Sequence, residues 1–189
     1  MSASTFHATL TRHLQVFNQL SSLEPQVLEL ADRVEACLAQ GGKLIFMGNG
    51  GSAADCQHLA AEFVVRYKAE RRPLGAIALT VDTSILTAHS NDYSYDSVFT
   101  RQIQALARPQ DLVIGLSTSG NSANVIDGIR AAKELGCFTY AWTGESGGKL
   151  LALADVTLRM PSNETARIQE AHMLIGHWVC EEMDSRLAG

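Results

Sequence analysis

The sequence lacks the features that mark membrane-spanning, exported and nucleic-acid-binding proteins. None of its segments approaches the roughly 18 consecutive apolar residues that a membrane-spanning helix needs. The opening residues, MSASTFHATLTRH, contain no basic stretch followed by an apolar core, so we expect no export signal and a cytoplasmic location. The net charge of −5 argues against a surface for nucleic acid or for anionic membranes. A small molecule or another protein is therefore the expected partner.

Cysteine pairs and nucleotide-binding fingerprints are missing as well. The sequence has four cysteines but no CxxC pair, which predicts free thiols in a reducing compartment. Neither GxGxxG nor GxxxxGK followed by Ser or Thr occurs, so a nucleotide is not the expected ligand. The sequence has 189 residues, of which 46% are hydrophobic and 19% are charged. This length and composition predict one domain with a well-buried core.

From residue 43 onward, short apolar runs alternate with helical patterns. The runs have the length and composition of buried strands and lie at 44–47, 76–79, 112–116, 138–142 and 156–160. The helical patterns lie at about 52–65, 83–90 with 96–106, 122–135, 148–153 and 165–187. Strands that alternate with helices indicate parallel pairing with right-handed crossovers. We therefore predict a three-layer α/β/α fold around a five-stranded, mainly parallel sheet.

Residues 1–41 precede the first strand and carry two helical patterns. The first pattern has an apolar stripe formed by Phe6, Leu10, Leu14 and Phe17. We predict that the two helices form an N-terminal hairpin attached to a domain at 42–189, within a single structural domain overall. Because a short hairpin cannot cover its own stripes, we expect it to pack on the main domain or on another subunit.

A tight glycine turn follows the first strand. The stretch from Met47 to Glu62, MGNGGSAADCQHLAAE, reads as a strand end, a turn and a helix whose free N-terminal amides face the turn. On that helix His58 and Glu62 are four residues apart, so their side chains share one face. Taken alone, Glu62 could equally be a solvated residue paired with Arg66, four positions further on.

A hydroxyl-rich loop, STSGNS at 117–122, follows the third strand. Serine and threonine hydroxyls, backbone N–H groups and the dipole of the helix that follows all favour a phosphate here. The alternative is an ordinary polar loop in which Ser122 caps the next helix. Ligands of parallel sheets bind beyond the carboxyl ends of the strands, and this position favours the phosphate site.

Four segments in order resemble the sugar isomerase domain family: GNGGSAADCQHLAAEF, SND at 90–92, LSTSGNSANV and ARIQEAHMLIGH. The resemblance extends from about residue 5 to residue 185 and is to the members that convert sedoheptulose 7-phosphate to D-glycero-D-manno-heptose 7-phosphate. It implies a flavodoxin-like fold, a homotetramer whose active sites are shared between subunits, and a place in ADP-heptose and lipopolysaccharide core synthesis.

The resemblance also implies the catalytic and metal-binding residues. An aldose and a ketose interconvert through an enediol, which needs a base near the carbons and an acid near the oxygen. Glu62 and His177 match the acid/base pair of the family. Many members bind one zinc ion per subunit, with ligands that match His58, Glu62, Gln169 and His177.

Substrate contacts carry over in the same way. The implied sugar contacts are Asn49, Gly50, Gly51, Glu62, Arg66, Asn91, Asp92 and Gln169. The implied phosphate contacts are Ser52, Ser117, Thr118, Ser119 and Ser122. One departure from the family is Ala166, where some members carry an aspartate.

The two ligands on the last helix raise a geometric question. Gln169 and His177 are separated by about 12 Å along the axis if their helix is continuous. Both cannot then reach one ion through bonds of about 2 Å. Either the helix is broken between them or a neighbouring subunit supplies one of the two, and we predict the latter.

Two other functions remain open. The same family includes a tetrameric regulator that binds the bacterial replication initiator. Sequences of that kind lose the equivalents of Glu62 and His177 and alter the STSGNS loop, all of which this chain keeps. The second alternative is an isomerase of another sugar phosphate, because the shape of the pocket decides which chain length fits.

Overall fold

The computed structural model describes residues 5–187 and confirms the five strands. They are β1 (Leu44–Gly48), β2 (Ala76–Ala78), β3 (Leu112–Leu116), β4 (Phe138–Thr143) and β5 (Val156–Arg159). β1 and β3 are buried along their whole length, in agreement with their unbroken apolar sequences.

The α-helices also follow the predicted order, and the last one spans the predicted 165–187. They are α1 (Phe6–Phe17), α2 (Glu24–Ala39), α3 (Gly51–Val64), α4 (Thr83–Asp92), α5 (Val98–Leu106), α6 (Ala123–Glu134) and α7 (Thr165–Leu187). Short 3₁₀ segments lie at Leu20–Leu23, Tyr95–Ser97 and Gly148–Ala152. Across residues 5–187, none of the helices combines the length and the apolar character needed to cross a membrane.

The sheet is wholly parallel, with the strand order β2-β1-β3-β4-β5. The chain moves from β1 outward to β2, then crosses back to β3 and continues outward on the other side. The direction of winding therefore reverses between β1 and β3, which is where ligands bind in sheets of this kind. The outermost strands are short, with three residues in β2 and four in β5.

Helices cover both faces of the sheet. Phe46 and Trp142 point to one face, where they pack with α2, α3 and α7. Ile45 and Val113 point to the other face, where they pack with α5 and α6. Neighbouring residues of β1 thus enter opposite layers, because side chains alternate along a strand. The three-layer α/β/α fold is confirmed.

Helix α2 belongs to the same core as the sheet. Its Leu30 and Val34 are buried among the side chains of β1 and β3. Near the carboxyl end of α7, Arg186 binds Asp32 at 2.7 Å and Glu35 at 2.8 Å.

Helix α1 packs on the amino-terminal half of α7, where His13 Nδ1 lies 2.8 Å from Glu170 Oε2. The apolar stripe of α1 is largely uncovered, since Phe6, Leu10 and Leu14 are 82%, 41% and 51% exposed. Packing on the main domain therefore accounts for α2 but leaves most of the α1 stripe facing outward.

Candidate active site

The turn after β1 lies at the point where the strand order reverses. β1 ends at Gly48 and α3 begins at Gly51, so Asn49 and Gly50 alone form the turn. Gly50 has a φ of 55°, a backbone conformation that residues with a Cβ rarely adopt. The first N–H groups of α3 are left to face the turn.

A pair of hydrogen-bonded amide side chains joins this turn to α6. Asn49 Nδ2 donates to Asn124 Oδ1 at 2.8 Å, and Asn124 Nδ2 donates back to Asn49 Oδ1 at 2.9 Å. The hydroxyl of Tyr95 donates to the same Oδ1 of Asn49, also at 2.9 Å. Three segments that are distant in the sequence are thereby held in one network.

The loop at 117–122 directs several hydrogen-bond donors toward the start of α6. Ser117 and Ser122 are joined through their hydroxyls at 2.9 Å. Ser122 occupies the N-cap position of α6, but its side chain makes no capping hydrogen bond. Among residues 5–187, no acceptor takes the backbone N–H of Thr118, Ser119 or Ser122. Free amides and hydroxyls at a helix N-terminus suit a phosphate better than a simple cap.

Backbone hydrogen bonds fix the shape of this loop from the side of β4. Gly120 has a φ of 67°, and a Cβ there would lie 2.1 Å from the carbonyl oxygen of Gly147. Its own carbonyl oxygen accepts from Leu150 N at 3.1 Å, while Thr118 O accepts from Gly144 N at 2.9 Å. The loop therefore has its shape before any ligand arrives, which lowers the entropic cost of binding.

His58, Glu62 and His177 form a cluster where α3 meets α7. His58 Nε2 lies 3.0 Å from His177 Nε2 and 3.3 Å from Glu62 Oε1. The three ligand atoms lie within 4.8 Å of one another. The helices approach this closely because Gly176 has no side chain, and a Cβ there would lie 2.4 Å from Leu59 Cδ2. The structure thus brings together three residues that the sequence places in one site.

The environment of His177 favours the neutral imidazole. Partial burial, followed by the neighbouring His58, lowers its pKa, and Glu62 opposes the shift. The ring also stacks on Tyr67, with the centroids 5.5 Å apart. A neutral imidazole has a lone pair that can bind a metal ion or accept a proton.

Gln169 packs at the beginning of α3, away from the His58 end. α7 is continuous from Thr165 to Leu187, which excludes a break between Gln169 and His177. A Cβ on Gly51 would lie 2.4 Å from Gln169 Nε2. Gly51 and His58 are separated by about 10 Å along the axis of α3. The continuous helix rules out one of the two explanations, and the contribution of a second subunit stays a prediction.

Gln169 and His177 nevertheless line one open cavity of about 570 Å³, together with Asp55. Burial raises the pKa of Asp55 to about 6, and the charge of His58 opposes this shift. Asp55 Oδ2 is buried without a hydrogen-bond partner among residues 5–187. The sequence prediction omits this carboxyl, although its spacing of three from His58 puts both on one helix face.

A buried ion pair ties the segment after α3 to α7. Arg71 Nε lies 2.7 Å from Asp184 Oδ1, and the two side chains are 0% and 5% exposed. Asp184 Oδ2 also accepts the backbone N–H groups of residues 68–69, at 2.6 and 2.8 Å. Burial by itself raises the pKa of Asp184, but these hydrogen bonds and Arg71 lower it.

Three of the predicted sugar contacts lie apart from both the cluster and the turn after β1. Asn91 and Asp92 occupy the last turn of α4, and Asn91 Nδ2 donates to Asp92 Oδ1 at 2.9 Å. Arg66 lies beyond the end of α3, where it comes within 4.0 Å of Glu70. Arg66 has no ion pair with Glu62 in the described chain; the ion pair of Glu62 is with His58.

The fold and the site define a doubly wound α/β protein with a hydroxyl-rich loop after β3 and a His/Glu/His cluster between α3 and α7. The SIS domain family matches residues 6–144. The probable phosphoheptose isomerase of Thermoplasma acidophilum is 52% identical over 161 residues, which are 85% of this chain and 88% of that protein. The phosphoheptose isomerase of Aliarcobacter butzleri is 50% identical over 177 residues, 93% and 94% of the two chains.

A solved structure shows the same similarity to phosphoheptose isomerases. The phosphoheptose isomerase from Neisseria gonorrhoeae superposes with a TM-score of 0.89 at 43% identity, covering 95% of this chain and 96% of that one. The chain belongs to the SIS domain family and, within it, is similar to phosphoheptose isomerases over most of its length.

Proposed function

We propose that the protein is an aldose–ketose isomerase that converts sedoheptulose 7-phosphate to D-glycero-D-manno-heptose 7-phosphate. The observation that carries the proposal is the cluster of Glu62 with His58 and His177, because it combines a carboxylate with a neutral imidazole beside an open cavity. The names of the similar proteins supply the reaction type and a phosphorylated heptose as the class of substrate.

In the proposed mechanism Glu62 moves the proton between the two carbons. Its carboxylate removes a proton from C1 of the ketose, and the C2 carbonyl oxygen gains a proton to give the enediol. The same carboxyl then delivers a proton to C2, while the oxygen on C1 loses one and becomes the aldehyde. His177 exchanges the oxygen-bound protons, since its imidazole can both donate and accept near neutral pH. No atom is gained or lost, as an isomerisation requires.

The phosphate and the sugar are assigned to different parts of the site. The proposed phosphate contacts are Ser52, Ser117, Thr118, Ser119 and Ser122, which carry hydroxyls near two helix N-termini. The proposed sugar contacts are Asn49, Gly50, Gly51, Glu62, Arg66, Asn91, Asp92 and Gln169. The free amides of the 117–122 loop support the first assignment.

The cluster also fits a zinc ion. Tetrahedral zinc with bonds of about 2.0–2.1 Å has ligand atoms about 3.3 Å apart, and catalytic zinc sites often have three protein ligands of the His and Glu type. The distances of 3.0 and 3.3 Å from His58 Nε2 agree with that spacing. We propose one Zn²⁺ per subunit, held by His58, Glu62 and His177, with Gln169 from a neighbouring subunit as a further ligand. When bound, the ion would polarise the sugar oxygens and stabilise developing negative charge, and Nε2 of His177 would then hold the ion and not exchange protons.

We further propose a homotetramer with shared active sites, in which α1 of the hairpin at residues 1–41 packs on another subunit and 42–189 form the SIS domain. The exposed stripe of α1 supports this arrangement, because large apolar side chains on a helix face are ordinarily covered by another surface. The cytoplasmic location stays a prediction.

The test is an assay of the purified protein with sedoheptulose 7-phosphate, with and without added zinc, in which the aldose product is measured. Glu62→Gln and His177→Gln should each lower kcat at least about a hundredfold. Glu134→Gln and His7→Gln make the same chemical changes at exposed positions and should leave the rate unchanged. Absence of turnover by the wild type in both conditions would refute the proposed isomerase activity. Wild-type rates in the two cluster variants would refute the assigned roles.

A further inference from the structure

Tyr95 forms a hydrogen bond with Asn49 in the turn after β1. Neither the phosphate loop nor the His58/Glu62/His177 cluster takes part in this contact. The Tyr95 hydroxyl lies 2.9 Å from Asn49 Oδ1, although Tyr95 itself is 50% exposed. It stands in the 3₁₀ segment after α4, close in the chain to Asn91 and Asp92. The other half of Tyr95 is covered, so packing and the hydrogen bond together hold its hydroxyl at Asn49.

The orientation of both amide side chains follows from a backbone group. The backbone N–H of Val125 can only donate, and it lies 2.9 Å from Asn124 Oδ1. Asn124 Nδ2 must therefore face Asn49 as a donor, which makes the facing atom of Asn49 its oxygen. The returning bond from Asn49 Nδ2 to Asn124 Oδ1 completes the pair.

With Tyr95 in place, the acceptor capacity of Asn49 is filled. A carboxamide oxygen has two lone pairs, and Asn49 Oδ1 accepts from both Asn124 Nδ2 and the Tyr95 hydroxyl. The Nδ2 group has two hydrogens, of which one goes to Asn124. What remains to Asn49 is one N–H donor.

We propose that Tyr95 is a positioning residue that, through Asn49, makes this part of the site a hydrogen-bond donor toward the sugar. The inference rests on the proposed function, in which Asn49 contacts the sugar. The free N–H of Asn49 then donates to a substrate oxygen that can accept a hydrogen bond. The side chain of Asn49 cannot rotate to accept a hydrogen bond from a sugar hydroxyl. The oxygen of Tyr95 keeps lone pairs of its own, so an adjacent sugar hydroxyl can donate to it.

The chain offers a matched pair of variants. Tyr95→Phe and Tyr93→Phe remove the same atom two positions apart, and Tyr93 is 67% exposed with its ring stacked on His89. Tyr95→Phe should raise KM about fivefold and leave kcat within about twofold, since a less firmly held Asn49 weakens one sugar contact that ground state and transition state share. Tyr93→Phe should leave both constants unchanged. Equal KM values in the two variants and the wild type overturn the inference.

A double-mutant cycle tests whether Tyr95 acts through Asn49. In an Asn49→Ala background, Tyr95→Phe should cause no further rise in KM, because the acceptor of its hydroxyl is already gone. The binding of inorganic phosphate should be unchanged in all four proteins. Additive effects of the two substitutions overturn the inference.

A measurement that needs no turnover separates this inference from the proposed function. The side-chain amide of Asn49, observed by NMR in protein with ¹⁵N-labelled asparagine, should exchange faster with water in Tyr95→Phe than in the wild type or Tyr93→Phe. If the wild type turns over the substrate and amide exchange in Tyr95→Phe equals that of the wild type, only the role of Tyr95 is overturned. Absence of turnover with altered exchange overturns the isomerase and supports the positioning of Asn49.

Discussion

Arg71 and Glu62 are joined through the backbone: Nη2 of Arg71 donates to the carbonyl oxygen of Glu62 at 2.8 Å. The same guanidinium forms the buried ion pair with Asp184 of α7. The backbone that carries Glu62 is thus anchored to the helix that carries His177. A side chain outside the cluster therefore fixes how two of its members stand relative to each other.

The first prediction concerns the stability of this anchor. Asp184→Ala should lower the free energy of unfolding by about 3–5 kcal/mol, because it leaves a buried guanidinium without its counter-charge. The measurement is urea denaturation at neutral pH. Glu181→Ala is the matched control on the same helix, since it removes a pair whose side chains are 61% and 54% exposed. It should unfold near the wild-type midpoint. Equal midpoints for all three proteins would contradict the prediction.

The second prediction concerns His172, a histidine of α7 that is fully buried. Burial lowers its pKa to about 4. The carbonyl oxygen of Thr143, which lies 3.4 Å from Nε2, opposes this shift only partly. An unfolded histidine titrates near pH 6.5, so between about pH 6.5 and 4 the unfolded chain binds the extra proton. Stability should therefore fall as the pH falls through this window, by about 1.4 kcal/mol per unit at most.

The variant His172→Gln should show a shallower slope of unfolding free energy against pH over the same window, whatever its stability at neutral pH. His7→Gln removes one imidazole from an exposed position and serves as the control. A slope for His172→Gln as steep as that of the wild type would show that this histidine is not the group responsible.

The third prediction is that the cluster binds zinc in the folded protein. Adding Zn²⁺ to chelator-treated protein at about 100 times its dissociation constant should raise Tm by about 5 °C, because the ion binds only the folded state. His58→Ala should abolish the rise, since it removes one of three ligands. His13→Ala, which loses a pair with Glu170 and a stacking contact with Phe17, should keep it. The same rise in both variants would place the metal elsewhere.

The fourth prediction uses the contact between Gly51 and Gln169. In Gly51→Ala the new Cβ would meet the amide end of Gln169 at 2.4 Å, and this flexible end can move aside. The stability should stay within about 1 kcal/mol of the wild type, since alanine is favoured over glycine in a helix. The value of kcat/KM should fall about tenfold, because Gln169 is displaced from the substrate. Thermal unfolding and steady-state kinetics test the two halves, and unchanged kinetics would remove Gln169 from the site.

The elements of the fold could be predicted because each depends on local pattern. The unbroken apolar runs of β1 and β3 and the periodicity of α7 are visible within a few residues. The alternation of strands with helices predicts that the strands pair in parallel. Glu62 could be placed with His58 for the same reason, since a spacing of four on a helix defines one face.

What could not be predicted depends on distant parts of the chain. The Tyr95 hydroxyl meets Asn49 across 46 positions, and Arg71 meets Asp184 across 113. Neither contact has a periodic signal, because the partners lie on different elements whose packing only the tertiary fold defines. The meeting of His177 with His58 was implied by the family resemblance and not by any local pattern, because the close approach at Gly176 shows in the sequence only as one glycine within a long helix.

The shortness of β2 and β5 has a consequence for how copies of the chain can associate. An outer strand of three or four residues presents too few free backbone groups for a strand of another molecule to pair with. Lateral growth of the sheet into fibrils is thereby disfavoured, even at high protein concentration. Contacts between copies are left to helical surfaces such as the exposed apolar stripe of α1.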